Sequence, residues 1–178
     1  PFLGVSGIVD FASADLDADG DPDAALIDGS GKLHVFSNER QGQFSERAIP
    51  VNGALAINVA DVYNDGGLDL LVVEPGSIKR VSDKDHGVGW DSEEIVKAQD
   101  VKGKIASLRV ADLDNNGGLD LMVFGQYAVF VWLSEADGKF TALSAPVGLD
   151  HTFDIADVNN DGRLDLLGLS YEGKPLEA

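Results

Sequence analysis

A chain of 178 residues with a hydrophobic fraction of 44% is long enough to bury a substantial core, so a disordered chain is not expected. Its formal net charge of −18 argues against nucleic acid or an anionic membrane surface as a partner. The absence of cysteine excludes disulfides, thiolate metal sites and a cysteine nucleophile, and no apolar run approaches the roughly 18 residues of a membrane span.

The first element that carries chemistry is an acidic loop at residues 15–23, with the sequence DLDADGDPD. Its aspartates occupy alternate positions and would repel one another in water without a counter-ion. A hard divalent cation resolves this repulsion, because Ca²⁺ takes about six to eight oxygen ligands from carboxylates and carbonyls. Glycine at position 6, Gly20, permits the sharp bend that such a loop needs.

The loop recurs at residues 61–69, 112–120 and 157–165, at intervals of about 45 to 50 residues. Every copy has aspartate at positions 1 and 9, glycine at position 6 and aspartate or asparagine at position 5, and alanine precedes each copy. Residues alternate with a period of two before each loop, and a short apolar run follows it. This pattern predicts that each loop joins two strands.

The rest of each repeat contains further strand signals. The apolar runs after the loops predict strands at residues 24–27, 70–73, 121–124 and 166–169. Additional strands are predicted at residues 33–38, 44–51, 78–81, 90–96, 128–133 and 140–146, with a polar loop at residues 82–89. Four strands in a repeat of this length are typical of a propeller blade, so we predict an all-β protein, a β-propeller of four-stranded antiparallel blades.

The number of repeats predicts an incomplete propeller. We expect a single domain over residues 1–178, with complete blades at about residues 8–53, 54–103 and 104–148, and the first two strands of a fourth at residues 149–178. About 3.5 blades fall short of the four or more that closed propellers have. We therefore expect the chain to form part of a larger propeller, and its open blade edges predict self-association.

The loop pattern overlaps that of the EF-hand, which requires a bidentate glutamate at position 12 and flanking helices. Position 12 instead falls inside a predicted strand in every copy, at Leu26, Val72, Val123 and Gly168. The EF-hand interpretation therefore fails.

The loops, the L-D-L-L-V-type strand after them and the turns before Phe44 and Phe140 resemble FG-GAP/VCBS repeats. Such repeats build the propellers of integrin α-subunit heads, some fungal lectins, some polysaccharide lyases and ASPIC/UnbV-type extracellular proteins. The name-giving tripeptides are poorly kept, since Phe124-Gly125 is present without a Gly-Ala-Pro, so VCBS-like is the better description. The resemblance implies Ca²⁺ between the first and second strands of each blade.

Carried over by position, the resemblance implies side-chain ligands at positions 1, 3, 5 and 9 and a main-chain carbonyl at position 7. In the first loop these residues are Asp15, Asp17, Asp19, Asp21 and Asp23. In the third and fourth loops they are Asp112, Asp114, Asn116, Gly118, Asp120, Asp157, Asn159, Asp161, Arg163 and Asp165. The second loop has Tyr63 at position 3 and retains Asp61, Asp65, Gly67 and Asp69, so we expect three to four Ca²⁺ sites with this one the weakest. Solvated acidic turns without metal are the alternative.

No catalytic constellation is visible, because His34, His86 and His151 lie far apart and the Gly29-Ser30-Gly31-Lys32 segment is a hairpin turn rather than a phosphate loop. We therefore expect a non-enzymatic binding or adhesion module that recognises a protein or glycan through its blade-connecting loops. A lectin and a carbohydrate-active enzyme such as a polysaccharide lyase are the alternatives. We expect an extracellular or periplasmic location without membrane insertion, and a sequence that begins after any targeting signal.

Overall fold

Every regular element that the computed structural model describes is a β-strand. The described residues are 2, 4–51, 53–101, 104–126, 128–143, 151–169 and 175–177. They form four antiparallel sheets, and within each sheet the neighbouring strands follow one another in the sequence. None of the described segments forms a helix long and apolar enough to cross a membrane. The all-β prediction and the antiparallel blades are confirmed.

The first sheet has the strand order β1-β2-β3-β4. Its strands are β1 (Asp10–Ala14), β2 (Asp23–Ile27), β3 (Leu33–Asn38) and β4 (Phe44–Arg47). The first acidic loop connects β1 to β2, and the pairing of Ala14 with Asp23 brings its two ends together. Every residue of β2 is buried, as its continuous apolar run predicts. The last strand ends at Arg47, short of the predicted residue 51, where Pro50 has no N–H group to donate to a sheet.

The second sheet has the order β5-β6-β7-β8 and a long terminal hairpin. Its strands are β5 (Ala56–Ala60), β6 (Asp69–Glu74), β7 (Gly76–Lys84) and β8 (Gly89–Ala98). The loop prediction for residues 82–89 is wrong over its first part, because Ser82 pairs with Asp91 and Lys84 pairs with Gly89. These paired residues are polar, so the strand shows no apolar alternation in the sequence.

The chain divides into two compact units, Pro1–Asp100 and Val101–Ala178. In the first unit the first and second sheets share one core of aliphatic side chains. Its fully buried members include Ala25, Ile27, Val35, Leu70, Val72 and Val81. Burying each of the larger side chains contributes about 1.5–3 kcal/mol. The Asp10 carboxylate adds a polar link, since its Oδ2 accepts the N–H of Ile57 at 2.9 Å and so connects β1 to β5.

The second unit contains one four-stranded sheet and one three-stranded sheet. The strands are β9 (Ile105–Ala111), β10 (Asp120–Gly125), β11 (Val129–Ser134), β12 (Phe140–Ala142), β13 (His151–Ala156), β14 (Asp165–Leu169) and β15 (Pro175–Glu177). Met122, Phe124 and Val131 pack in one core with Leu166. The short β15 is a third strand that the sequence pattern did not predict, and part of the predicted strand at residues 140–146 lies outside the described residues. That the repeats form a single domain stays a prediction.

Candidate metal centres

The four acidic loops share one network of hydrogen bonds within the loop. The aspartate at position 1 accepts the main-chain N–H groups of positions 5 and 6 in every copy, at 2.8–3.1 Å. The side chain at position 5 accepts the N–H of position 7, at 2.6–2.9 Å. The loops are therefore formed by the chain's own polar groups, and each ionised carboxylate keeps further lone pairs for a ligand.

Two backbone positions in each loop are left-handed. Glycine at position 6 has φ between 83° and 91°, which confirms the bend predicted at Gly20. Position 4 is also left-handed, and the residues there are Ala18 (φ 60°), Asn64 (φ 53°), Asn115 (φ 59°) and Asn160 (φ 58°). Three of the four are asparagine, which tolerates this conformation better than alanine. Sequence reasoning missed this position, although the recurrent asparagine was the available signal.

In the first and third loops the aspartate at position 9 is buried at the start of the second strand and holds three segments together. Asp23 is 1% exposed; its Oδ2 accepts the N–H of Leu16 at 3.0 Å and its Oδ1 accepts the N–H of Asn38 at 2.9 Å. Asp120 is 0% exposed and accepts the N–H groups of Leu113 and Ser134 at 2.7 and 2.8 Å. These two aspartates therefore tie the first and third loops to the third strands of their blades, a role the sequence did not indicate.

The first loop fits a hard divalent cation. Asp15, Asp17 and Asp19 each offer a carboxylate oxygen, and these oxygens lie within 4.8 Å of one another. Asp17 is buried; its Oδ2 accepts the Ser37 hydroxyl at 3.3 Å, but its Oδ1 has no hydrogen-bond partner among the described residues. A buried carboxylate oxygen without a donor is costly unless a cation pairs with it.

The electrostatics of the first loop also favour a bound cation. Burial raises the pKa of Asp23, the hydrogen bonds from Asn38 and Leu16 oppose that shift, and the negative charges of Asp17 and Asp19 raise the pKa further. The carboxylate of Asp21 does not join the oxygens of Asp15, Asp17 and Asp19, because it pairs with Arg40. That placement suits the prediction that Asp21 contributes its carbonyl rather than its side chain.

The third loop presents a similar set of oxygens, and the fourth a reduced one. Asp112, Asp114 and Asp120 offer carboxylate oxygens within 4.8 Å of one another. The fourth loop has Asn159 at position 3, where its Oδ1 accepts the N–H of Asp161 at 2.8 Å. Asn115 Nδ2 donates to the carbonyl of Gly162 at 2.8 Å and so joins the two loops. The third loop therefore suits Ca²⁺, whereas Asp157, Asp161 and Asp165 of the fourth loop form no comparable group of oxygens among the described residues.

The second loop does not fit a metal ion. Position 3 is Tyr63, and the guanidinium of Arg80 lies 4.5 Å from the centre of its ring. Arg80 Nε donates to Asp69 Oδ2 at 2.7 Å, and Arg80 Nη2 donates to Asp65 Oδ2 at 3.3 Å. Burial opposes the charge of Arg80, but the hydrogen bond to Asp69 and the charges of Asp69 and Asp65 outweigh it and raise the pKa of Arg80. A cation of the protein already contacts these carboxylates.

Two clefts open beside the first loop within the first unit, with volumes of about 440 and 520 Å³. Their walls are mostly polar and include Asp17, Asp83, His86 and Arg47. The guanidinium of Arg47 pairs with Asp83, lies 3.9 Å from the centre of the Trp90 ring and places Nη1 4.0 Å from Asp17 Oδ2. This surface presents charged groups next to the predicted calcium ligands.

The histidines are placed separately. His34 is 5% exposed, with Nδ1 2.8 Å from Glu46 Oε1 and Nε2 3.0 Å from Asp28 Oδ2, a pairing that the sequence did not predict. His86 Nδ1 lies 3.2 Å from the carbonyl oxygen of Asp17, and the side chain of His151 lies outside the described residues. The turn prediction at residues 29–32 is confirmed, since Ser30 donates to Asp28 between β2 and β3.

A family profile described as FG-GAP-like repeat matches residues 15–72 and 112–168. Together these stretches cover more than half of the sequence. The chain belongs to the FG-GAP-like repeat family. Both matched FG-GAP-like stretches begin at position 1 of an acidic loop, at Asp15 and Asp112, so the resemblance inferred from the sequence is confirmed. No curated protein gives a significant sequence match to this FG-GAP-like chain.

Two solved structures resemble the FG-GAP-like chain in fold. One describes the specific recognition of non-reducing terminal N-acetylglucosamine by an Agrocybe aegerita lectin, with 20% identity, a TM-score of 0.64, and coverage of 94% of this chain and 48% of the lectin. The other is BBS1N in complex with ARL6DN, with 13% identity, a TM-score of 0.61, and coverage of 98% of this chain and 55% of that one. At these identities the likeness shows the propeller-type fold alone, and the chain spans about half the length of both structures.

Proposed function

We propose that this chain is a calcium-stabilised, non-enzymatic binding module. The observation that carries the proposal is the first loop, where the oxygens of Asp15, Asp17 and Asp19 lie within 4.8 Å and the buried Oδ1 of Asp17 has no partner among the described residues. Bound Ca²⁺ adds positive charge to these carboxylates, beyond the guanidinium of Arg47 that lies 4.0 Å from Asp17 Oδ2. The loop residues hold the ion between the first and second strands, with Asp23 fixing the loop to β3.

Calcium suits these loops better than magnesium. Ca²⁺ accepts about six to eight oxygens in variable geometry, whereas Mg²⁺ demands near-octahedral geometry and keeps several waters. We assign the third and fourth loops the same role, with the fourth weaker because Asn159 offers a neutral oxygen where Asp17 and Asp114 offer charged ones. Sites of this kind bind at about 10⁻⁴–10⁻³ M in extracellular modules, so the proposal places the protein outside the cytoplasm.

The binding surface is assigned to the polar clefts beside the first loop. Arg47, Asp83 and His86 provide donors and acceptors there, and the core residue Trp90 supports Arg47 from below. A glycan is the ligand class we propose first, in keeping with the lectin of similar fold, and a protein ligand is the alternative. Self-association through open edges stays a prediction; Ile8, Val9 and Phe11 leave an apolar strip exposed at β1.

Chelation tests the calcium part of the proposal. At millimolar Ca²⁺ each filled site contributes on the order of 1 kcal/mol, so EDTA should lower Tm by several degrees and added Ca²⁺ should restore it. Asp17→Asn should reduce this response and the number of ions bound in equilibrium dialysis, whereas Asp137→Asn in an exposed hairpin turn should not. A melting curve that EDTA leaves unchanged would contradict the proposal.

Glycan binding tests the partner class. The calcium-loaded protein should retain oligosaccharides on a glycan array without shortening them, and a substitution of an exposed residue in the clefts, His86→Gln, should weaken that retention. Release of shorter products from a polysaccharide would establish the lyase alternative instead. Retention of proteins but of no glycan would favour the protein ligand.

A further inference from the structure

We infer that Arg80 takes the place of the metal ion in the second loop, so that this blade is held by an internal cation and needs no calcium. The second loop differs from the others in having Tyr63 at position 3. That the other loops bind calcium rests on the proposed function, but the contacts of the Arg80 guanidinium do not depend on it.

Arg80 contacts three of the positions at which the other loops place ligands. Its Nε donates to the position 9 carboxylate, Asp69 Oδ2, at 2.7 Å, and its Nη2 donates to the position 5 carboxylate, Asp65 Oδ2, at 3.3 Å. The plane of the guanidinium lies over the position 3 ring, Tyr63, at 4.5 Å. A single permanent cation thus meets two anions and the negative face of an aromatic ring.

Arg80 and Asp69 are largely shielded from water, whereas the side chain of Asp65 is 54% exposed. The side chain of Arg80 is 17% exposed and that of Asp69 is 3% exposed. The other oxygen of Asp69, Oδ1, accepts the Ser82 hydroxyl at 2.6 Å, while the position 1 aspartate, Asp61, accepts two main-chain N–H groups. The carboxylates of this loop therefore have donors from the protein, unlike the buried Oδ1 of Asp17 in the first loop.

The register of the sheets shows that two changes in the second repeat belong together. Arg80 in β7 pairs with Leu71 in β6, two residues after position 9 of the loop. The equivalent pairs are Ala25 with Val35 in the first sheet and Met122 with Val131 in the sheet of the third loop. The second repeat therefore has arginine where the first and third have valine, and tyrosine where the other three loops have aspartate or asparagine. Tyr63 stands where the first and third loops have a carboxylate, and its ring packs against the Arg80 guanidinium. Arg80 provides the positive charge that a metal ion would otherwise provide. Calcium removal should therefore weaken the acidic loops of the other repeats but not this one.

Thermal melting in EDTA tests the role of Arg80 without any metal. Arg80→Gln leaves the nearly buried Asp69 without its cation and should lower Tm by about 5 °C or more. Lys84→Gln is the matched control, because it removes a cation from the same strand whose partner, Asp91, is 70% exposed; its Tm should change by about 1 °C or less. Equal effects of the two substitutions would overturn the inference.

Calcium counting by equilibrium dialysis tests whether the second loop is closed to metal. Asp65→Asn should bind as many Ca²⁺ ions as the unaltered chain, and Tyr63→Asp/Arg80→Val, which restores the pattern of the first repeat, should bind one more. Loss of one ion in Asp65→Asn would overturn the inference, because the second loop would then be a calcium site despite Arg80. If the unaltered chain binds no Ca²⁺, the proposed function fails, and the melting comparison in EDTA still decides the role of Arg80.

Discussion

Ala18 occupies a left-handed conformation, with φ of 60°, that the other three loops give to asparagine. This conformation costs an L-residue with a Cβ roughly 1–2 kcal/mol, and asparagine reduces that cost because its short polar side chain bonds locally. Ala18→Asn should therefore raise the free energy of unfolding by about 0.5–1 kcal/mol, and the reverse change Asn64→Ala should lower it by a similar amount. Urea denaturation of both variants in EDTA measures the effect, and no change in either would contradict it.

His34 links a turn to a strand through two carboxylates, which makes part of the stability dependent on pH. Hydrogen bonds from Ser30 and then from His34 lower the pKa of Asp28, and the hydrogen bond to His34 lowers the pKa of Glu46. A carboxylate whose pKa is lower in the folded state stabilises that state above its unfolded pKa, and the contribution is lost as pH falls.

Replacing His34 isolates this contribution. The difference in Tm between the unaltered chain and His34→Gln, measured in EDTA, should shrink as pH falls from about 5 to 2. Lys32→Gln serves as the control, because its ion pair with Glu46 is largely exposed at 60% and 44% and should contribute little at any pH. A Tm difference that stays constant down to pH 2 would show that His34 acts through packing alone.

At the scale of elements, Arg47 is a second polar connection between the first two sheets, besides that of Asp10. It extends from β4 to Asp83 in β7, donates to the carbonyl of Gly89 at 3.2 Å and lies over Trp90. The side chains of Arg47 and Asp83 are 10% and 12% exposed, so removing either one leaves a nearly buried charge without its partner. Such losses commonly reach about 3–5 kcal/mol.

Arg47→Met keeps most of the side-chain volume and removes the charge. We expect it to lower the free energy of unfolding by about 3 kcal/mol, and Arg47→Met/Asp83→Asn to cost less than the sum of the single changes. Arg40→Met is the matched control, since Arg40 is 65% exposed and should contribute less than about 1 kcal/mol. Additive losses in the double variant would mean that the two residues act independently.

Much of this architecture follows from local repetition in the sequence. The loop pattern fixes where the first and second strands meet, and the apolar runs fix β2, β6, β10 and β14. The strands at residues 78–81 and 90–96 were predicted, but the extension of the β7–β8 hairpin beyond residue 81 and the short β15 were not. Both depend on pairing between polar or very short segments rather than on apolar alternation. The roles of Arg80 and His34 were not predicted either. Both depend on the strand register, which places each side chain beside carboxylates that are distant in sequence.

At the scale of the whole molecule, the net charge of −18 opposes the compact state, and the acidic loops concentrate that charge. Screening length falls from about 30 Å at 0.01 M salt to about 10 Å at 0.1 M, so added NaCl weakens repulsion between loops and other acidic groups. Bound Ca²⁺ would neutralise the same carboxylates directly. Added salt should therefore raise the stability of the protein more when calcium is absent than when it is bound.

Thermal melting over this range of NaCl tests the compensation. In EDTA, raising NaCl from about 0.01 M to 0.3 M should raise Tm by several degrees, and in millimolar Ca²⁺ the same change should raise it less. Chloride is the suitable anion, because sulfate stabilises proteins by exclusion from their surface whatever their charge. Screening weakens ion pairs such as Arg47 with Asp83 equally with and without Ca²⁺. Its effect on Tm through these pairs therefore cancels when the two salt series are compared. Equal salt increments with and without Ca²⁺ would mean that the ion does not neutralise the loops.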